Sequence, residues 1–128
     1  SLLVQTDYKG TTYWNAVDMR YRSLDDPKIR LRIVGIIIGT VRLATQSSSC
    51  VQPRQNIFYA TATVRDKGGF DGILAATHEL GHIFGLYHDA PTDRLCGNGF
   101  IMAPKTKVSL NNLKWSSCSL RSLSYFMR

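Results

Sequence analysis

The sequence predicts an α/β chain with a mainly parallel, twisted sheet, a long helix that carries the chemistry, and an irregular C-terminal part. Three observations lead there. Short apolar runs alternate with an amphipathic helical pattern in the order strand, helix, strand, which implies a right-handed crossover and a parallel pair. A later helical stretch stops at a glycine, and every histidine of the protein lies between residues 78 and 89. Beyond it, turn-forming residues dominate until a last apolar-periodic segment near the terminus.

Leu2, Leu3 and Val4 form an apolar run suited to a buried strand. A polar turn over residues 7–11 leads into TTYWNAVDMRYRSL, where Trp14, Val17, Tyr21 and Leu24 recur at helical spacing, with Thr11 or Thr12 as N-cap. Asp25, Asp26 and Pro27 stop that helix. KIRLRIVGIII then gives the strongest strand signal of the chain, alternating at first and apolar on both faces by its end. Residues 39–55 are polar and serine-rich, a loop or a poorly packed segment, and NIFYATATV is another strand.

The RDKGGF turn carries the chain into DGILAATHELGHIFG, a half-buried helix with Ile73, Ala76, Leu80 and Ile83 or Phe84 on one face. Asp71 is its expected N-cap, Phe70 staples the first turn, and Gly85 supplies the left-handed stop. Residues 88–114 read as mostly irregular. SSCSLRSLSYFM closes the chain as a helix with Leu120, Leu123 and Phe126 or Met127 inward.

A length of 128 residues with no composition break indicates one domain, and no apolar run is long enough to span a membrane. The chain is expected to be soluble. Its net charge of +7 favours anionic partners such as acidic proteins or glycans, although the basic residues are scattered and solubility alone also accounts for them. No zinc-finger, helix-turn-helix or RNP-type pattern accompanies the charge, so nucleic acid is not an expected partner. The opening SLLVQTDY has no signal-peptide pattern, which suits either mature protein or a piece of a longer precursor. Cys50, Cys96 and Cys118 contain no CxxC pair; outside the cell they would give one disulfide and one leftover thiol, and in the cytosol three thiols.

His78 and His82 lie four apart, about 40° from each other on one helical face, so two imidazoles can reach one ion. Glu79 sits beside them without being a ligand, and Gly85 lets the chain turn so that His88 can return as a third. Three nitrogen ligands and an open fourth position describe a catalytic zinc site. The spacing HExxHxxGxxH arises by chance in about one in tens of millions of starting positions, which sets aside a packed or solvated histidine face.

HELGHIFGLYH, followed downstream by CGNGFIMAP, resembles the signature of the metzincin zinc endopeptidases, with Met102 at the Met-turn. Asp89 directly after His88 is similar to the adamalysin, or reprolysin, branch. WNAVDMRYRSL, KIRLRIVGIII and WSSCSLRSLSYF extend the likeness, especially to salivary reprolysin-like metalloproteases of ticks.

The resemblance implies an α+β metzincin-like fold over residues 1–128, with an upper subdomain to about 85, a lower one from about 86, and the cleft between them. It implies Zn2+ held by His78, His82 and His88, with Glu79 as general base and then acid. Met102 would be a hydrophobic floor, although a methionine is also an ordinary core filler, and Gly85 and Asp89 would hold the turn. It implies a disulfide between Cys50 and Cys118, leaves Cys96 unpaired with Phe100 where relatives often have a cysteine, and puts residues 104–108 beside the pocket for the residue after the scissile bond.

Against the family pattern the chain is short between Ile38 and Val51, where an antiparallel edge strand that pairs with substrate is expected and only GTVRLATQSSSC stands. The reading is a secreted, extracellular zinc metalloendopeptidase acting on protein or peptide substrates, host extracellular or plasma proteins if the tick-like resemblance extends that far. An alternative is a zinc-binding relative, weak or inactive, that works as a basic binding module. A structural zinc domain would need a fourth protein ligand, and no cysteine or carboxylate stands at a suggestive spacing.

Overall fold

The computed structural model describes residues 2–5, 10–35, 49–51, 61–65, 70, 72–89, 96–105 and 109–127. Among them are strands β1 (Leu2–Gln5), β2 (Ser49–Val51) and β3 (Thr61–Arg65), and helices α1 (Gly10–Arg22), α2 (Gly72–Ile83) and α3 (Ser117–Phe126).

β3 is the middle strand of the sheet, in the order β1-β3-β2. β1 runs parallel to it with Leu2 opposite Ala62 and Val4 opposite Val64, while β2 runs antiparallel with Cys50 opposite Ala62. The sheet is thus mixed among the described residues. β2 is short, yet it occupies the antiparallel edge position that the sequence reading expected to be lost. The serine-rich expectation for residues 39–55 is corrected at Ser49–Val51; the remainder of that segment lies outside the described residues, as do residues 56–60 of the NIFYATATV strand and the proposed N-cap Asp71.

The strongest strand expectation fails where the structure describes it. Residues 28–35 form no strand, and the parallel neighbour of β1 is β3. Residues 36–38 lie outside the described residues. The reason is visible at Leu31, whose backbone N–H donates to the Asp18 carboxylate at 2.8 Å instead of to a neighbouring strand. Ile29 is buried and Leu31 packs against the core, but Ile33 is 43% and Val34 95% exposed, so the inward alternation ends at Leu31 and anchors an irregular segment.

α1 begins at Gly10, which places Thr11 and Thr12 inside its first turn instead of at the N-cap. Its inward face is Tyr13, Val17, Tyr21 and, just past its end, Leu24, all buried, with Trp14 only partly so. The i, i+4 spacing accounts for that stripe. Tyr21 crosses to the chemistry-bearing helix: its hydroxyl donates to the Thr77 carbonyl at 2.8 Å, and its ring meets Phe84 and Trp115 at centroid distances of 5.5 and 5.1 Å. Burial pushes that phenol well above its ordinary 10.0, so it is a donor at any working pH.

α2 buries more than one face. Ala76 and Leu80 are inward as expected, but Gly72, Thr77, Glu79 and Gly81 are buried as well, because β3, α1 and the irregular segment all close on it. α3 is capped by Ser116, whose Oγ accepts from the Ser119 N–H at 3.0 Å. Only Leu123 of its expected apolar stripe is fully buried; Leu120, Phe126 and Met127 are 39%, 43% and 48% exposed. The described part of residues 86–114 holds turns and no helix or strand, as the sequence implies.

Candidate metal and catalytic site

Three histidine side chains meet at one end of α2. The Nε2 atoms of His78, His82 and His88 lie 3.1 Å from one another in every pair. His78 Nδ1 contacts the Ile101 carbonyl at 2.7 Å, and His82 Nδ1 contacts the Leu86 carbonyl at 2.8 Å. A carbonyl oxygen only accepts, so both Nδ1 atoms carry the proton and both Nε2 atoms turn a lone pair toward the shared centre. Lone pairs at that distance repel unless a cation lies among them.

The donor set fits zinc. A tetrahedral zinc with bonds of about 2.0–2.1 Å separates its nitrogens by about 3.3–3.4 Å, within a few tenths of the observed triangle. The rings are splayed, with interplanar angles of 85°, 38° and 67°, so they converge at their edges and do not stack. Among the described residues this cluster has three members and no fourth protein ligand.

Burial and neighbouring charge favour the neutral form of His78 and His88. Burial holds His78 below its ordinary 6.5, helped by His82 and opposed by the Ile101 carbonyl and Asp89. Burial likewise lowers His88, with His82 and His78 adding to it while Glu79 and Asp89 pull the other way. A neutral imidazole is the form that ligates a metal.

The local fold explains how a four-residue spacing gains a third partner. Gly85 sits at φ +81°, and the turn closes with Gly85 N–H to the His82 carbonyl at 2.9 Å and Leu86 N–H to the Gly81 carbonyl at 3.0 Å. That pair of bonds is a Schellman ending, with buried Leu86 as its hydrophobic contact. A side chain at Gly85 would also strike the Phe126 ring of α3, whose nearest atom lies 2.5 Å from where a Cβ would stand. The same turn delivers the Leu86 carbonyl to His82.

Asp89 is the next fixed point. Its backbone N–H donates to the Met102 carbonyl at 2.8 Å, and its buried carboxylate accepts from Ser116 Oγ at 2.5 Å and from Ser119 Oγ at 3.3 Å. The residue beside His88 is thereby tied to both the Met102 turn and the N-terminus of α3. Met102 is fully buried beneath α2, its sulfur 2.6 Å from where a Cβ on Gly81 would stand. Glycine at 81 is what lets the thioether lie against the helix between His78 and His82.

A cavity of about 220 Å3 adjoins the cluster, lined on the α2 side by Leu74, Ala75, His78 and Glu79. Phe100, Ile101, Ala103, Pro104 and Asn112 close it from the irregular segment. Pro104 borders this cavity, Lys105 is not among its described lining, and residues 106–108 lie outside the described residues. Glu79 is buried at its edge.

The disulfide expectation is corrected. Cys118 bonds to Cys96, with their Cα atoms 5.1 Å apart, so neither a Cys50–Cys118 bond nor an unpaired Cys96 holds. Cys96 lies in the irregular segment that passes under the first turn of α3, where Cys118 stands. Cys50 belongs to β2, paired backbone to backbone with β3. The bond staples the loop leading to Met102 onto the helix whose capping serine holds Asp89.

Several contributors escaped sequence reading. The carbonyls of Ile101 and Leu86 have no side-chain signature at all. Ser116 and Ser119 carried a usable one, a serine three residues ahead of another at the start of an apolar-periodic segment, the mark of a helix N-cap.

Comparison with known proteins agrees with the geometry. Residues 34–116 match the reprolysin-type profile described as Metallo-peptidase family M12. The chain is 25% identical over 201 aligned positions to "A disintegrin and metalloproteinase with thrombospondin motifs like" of Bombyx mori, covering 97% of this chain and 29% of that protein. It is 26% identical over 177 to "Venom metalloproteinase 1" of Eulophus pennicornis, covering 93% and 41%. It is 32% identical over 125 to "Zinc metalloproteinase-disintegrin-like BmMP" of Bungarus multicinctus, covering 92% and 19%. The chain thus spans less than half the length of these relatives, and an alignment of 201 positions against 128 residues means the Bombyx mori protein carries residues this chain lacks. Signature, histidine geometry and profile agree: the chain belongs to the reprolysin-type branch of metallo-peptidase family M12.

Proposed function

We propose that residues 1–128 form one catalytic domain, its upper part to about residue 85 and its lower part from about 86, of a secreted zinc endopeptidase acting on extracellular proteins. The observation that carries this is the triangle of Nε2 atoms 3.1 Å apart, with His78 and His82 already committed through Nδ1 to carbonyls. When bound there, zinc supplies Lewis acidity, polarising the scissile carbonyl and acidifying water.

The chain's own residues do the rest. The carbonyls of Ile101 and Leu86 orient two of the imidazoles and raise their basicity. Glu79, beside His78 on the cavity wall, takes the proton from attacking water and returns it to the departing amine. Gly85, Asp89 and Met102 position His88 and the floor. The adjoining cavity receives the side chain that follows the scissile bond. The venom origin in one relative's name supports an extracellular setting, and no described helix is long and apolar enough to cross a membrane.

The alternative, a basic binding module that holds zinc without turnover, drew on an absent edge strand. β2 at the sheet edge weakens that argument. Incubation with a denatured protein separates the two readings. Cleavage should vanish with chelator, and Glu79→Ala should lower it at least about a hundredfold while still binding zinc. Zinc bound without turnover in the parent protein would favour the binding module.

A further inference from the structure

We infer that Asn112 makes the cavity beside His78 and Glu79 favour a neutral side chain with an apolar stem and a hydrogen-bonding end, glutamine above leucine. The inference rests on the peptidase reading of this site, in which the cavity takes the residue after the scissile bond. Six of the nine described lining residues are apolar; His78 and Glu79 belong to the proposed chemistry, and Asn112 is the remaining polar one among them.

Its position is fixed relative to the histidines. Asn112 N–H donates to the Ser109 carbonyl at 3.3 Å, Ser109 Oγ accepts from Asn111 N–H at 3.1 Å, and Lys114 N–H donates to the Asn111 carbonyl at 2.8 Å. The Lys114 carbonyl in turn accepts from Ile101 N–H at 3.0 Å, and the Ile101 carbonyl holds His78 Nδ1 at 2.7 Å. Gly99 lets this turn close, since a Cβ there would stand 2.8 Å from Ser109 Oγ. The wall bearing Asn112 is thus stitched to the same residue that orients a ligand histidine.

The chemistry selects the occupant. A carboxamide offers two donors and an acceptor; the Asn112 side chain has no hydrogen bond to another described residue, its Oδ1 lying 4.0 Å from where a Cβ on Gly99 would stand. A leucine seated there covers the amide with methyl groups and leaves it unpaired, whereas a glutamine carboxamide pairs with it in both directions. Glu79 on the same wall opposes an acidic side chain. A lysine would bring its charge out of water into a half-apolar space. The cavity volume of about 220 Å3 leaves room for a glutamine side chain.

The test uses the zinc-loaded chain and two quenched-fluorescence peptides that differ only in glutamine or leucine after the cleaved bond. The parent should cleave the glutamine peptide with a kcat/KM at least equal to that for leucine. Asn112→Leu should lower the glutamine-to-leucine ratio about tenfold, and Asn112→Ser, smaller and still polar, should fall between. Melting temperature and zinc content check that each variant folds. A parent that prefers leucine severalfold, or a ratio unmoved in both variants, overturns the inference. Calorimetric binding of two peptide hydroxamates with the same side chains separates it from the peptidase reading. If neither peptide is cleaved but the glutamine hydroxamate binds more tightly and the variants abolish that preference, the peptidase reading fails and the cavity's selectivity stands. Equal binding, or no binding of either hydroxamate, overturns the inference.

Discussion

His78 and His88 bind fewer protons in the folded chain than their ordinary value of 6.5 would give. The sign follows directly. Between their lowered folded values and 6.5 the unfolded chain takes up protons that the native one refuses, so the stabilisation is complete above 6.5 and is lost as pH falls through that window. Urea titrations of the chelated protein at pH 7.5 and 5.5 should show lower stability at the acid value, and His78→Gln with His88→Gln should shrink the difference. A chelated parent equally stable at both values contradicts the protonation argument. Gly85 is the other residue on which the site turns. Replacing it with alanine forces an L-residue to φ +81° beside the Phe126 ring, with a backbone cost of about 1–2 kcal/mol before the steric conflict is counted. Gly85→Ala should melt earlier and bind zinc more weakly, with part of the loss restored by Phe126→Ala. Unchanged melting would mean that the turn has another way to close.

At the scale of elements, the stapling of the irregular segment to α3 decides how well His88 and Met102 are held. Cys96 and Cys118 close a loop with a sequence separation of 22, for which chain entropy alone gives about 3 kcal/mol. Cys96→Ser with Cys118→Ser should lower unfolding free energy by about that amount, and zinc affinity should fall more than with Cys50→Ser. A Cys50→Ser variant that loses more would restore the pairing drawn from family resemblance. Helices were the legible elements. The stripes of Val17, Tyr21 and Leu24 in α1, and of Ala76 and Leu80 in α2, report period and burial together, and the Gly85 stop could be read from its residue type. The segment 28–35 was misread because alternation records which side chains face inward and says nothing about where the backbone hydrogen bonds go; at Leu31 the bond goes to Asp18. β2 was missed for the opposite reason, since three residues of Ser-Cys-Val carry too little pattern to mark a strand and form one only because β3 offers a free edge.

For the molecule as a whole, surface charge and site belong to one account. Among the described acidic residues Asp18, Glu79 and Asp89 are buried and only Asp25 and Asp26 are exposed, so few described surface carboxylates offset the lysines and arginines. Each buried carboxylate faces a defined partner or the cavity. Asp18 accepts from Leu31 and pairs with Arg22 at 2.7 Å, Asp89 holds α3, and Glu79 faces the cavity. The site was legible because HExxHxxGxxH places ligands by helix geometry and one glycine turn; the carbonyls that fix the tautomers were not, because the backbone has the same chemistry at every residue. The central claim, three imidazoles gripping one zinc with a fourth position open, is tested most directly by an anomalous difference map from a zinc-loaded crystal. One peak is expected about 2.0–2.1 Å from the Nε2 atoms of His78, His82 and His88, with solvent as the remaining ligand. A fourth protein side chain on the metal, or His88 turned away from it, would contradict the account.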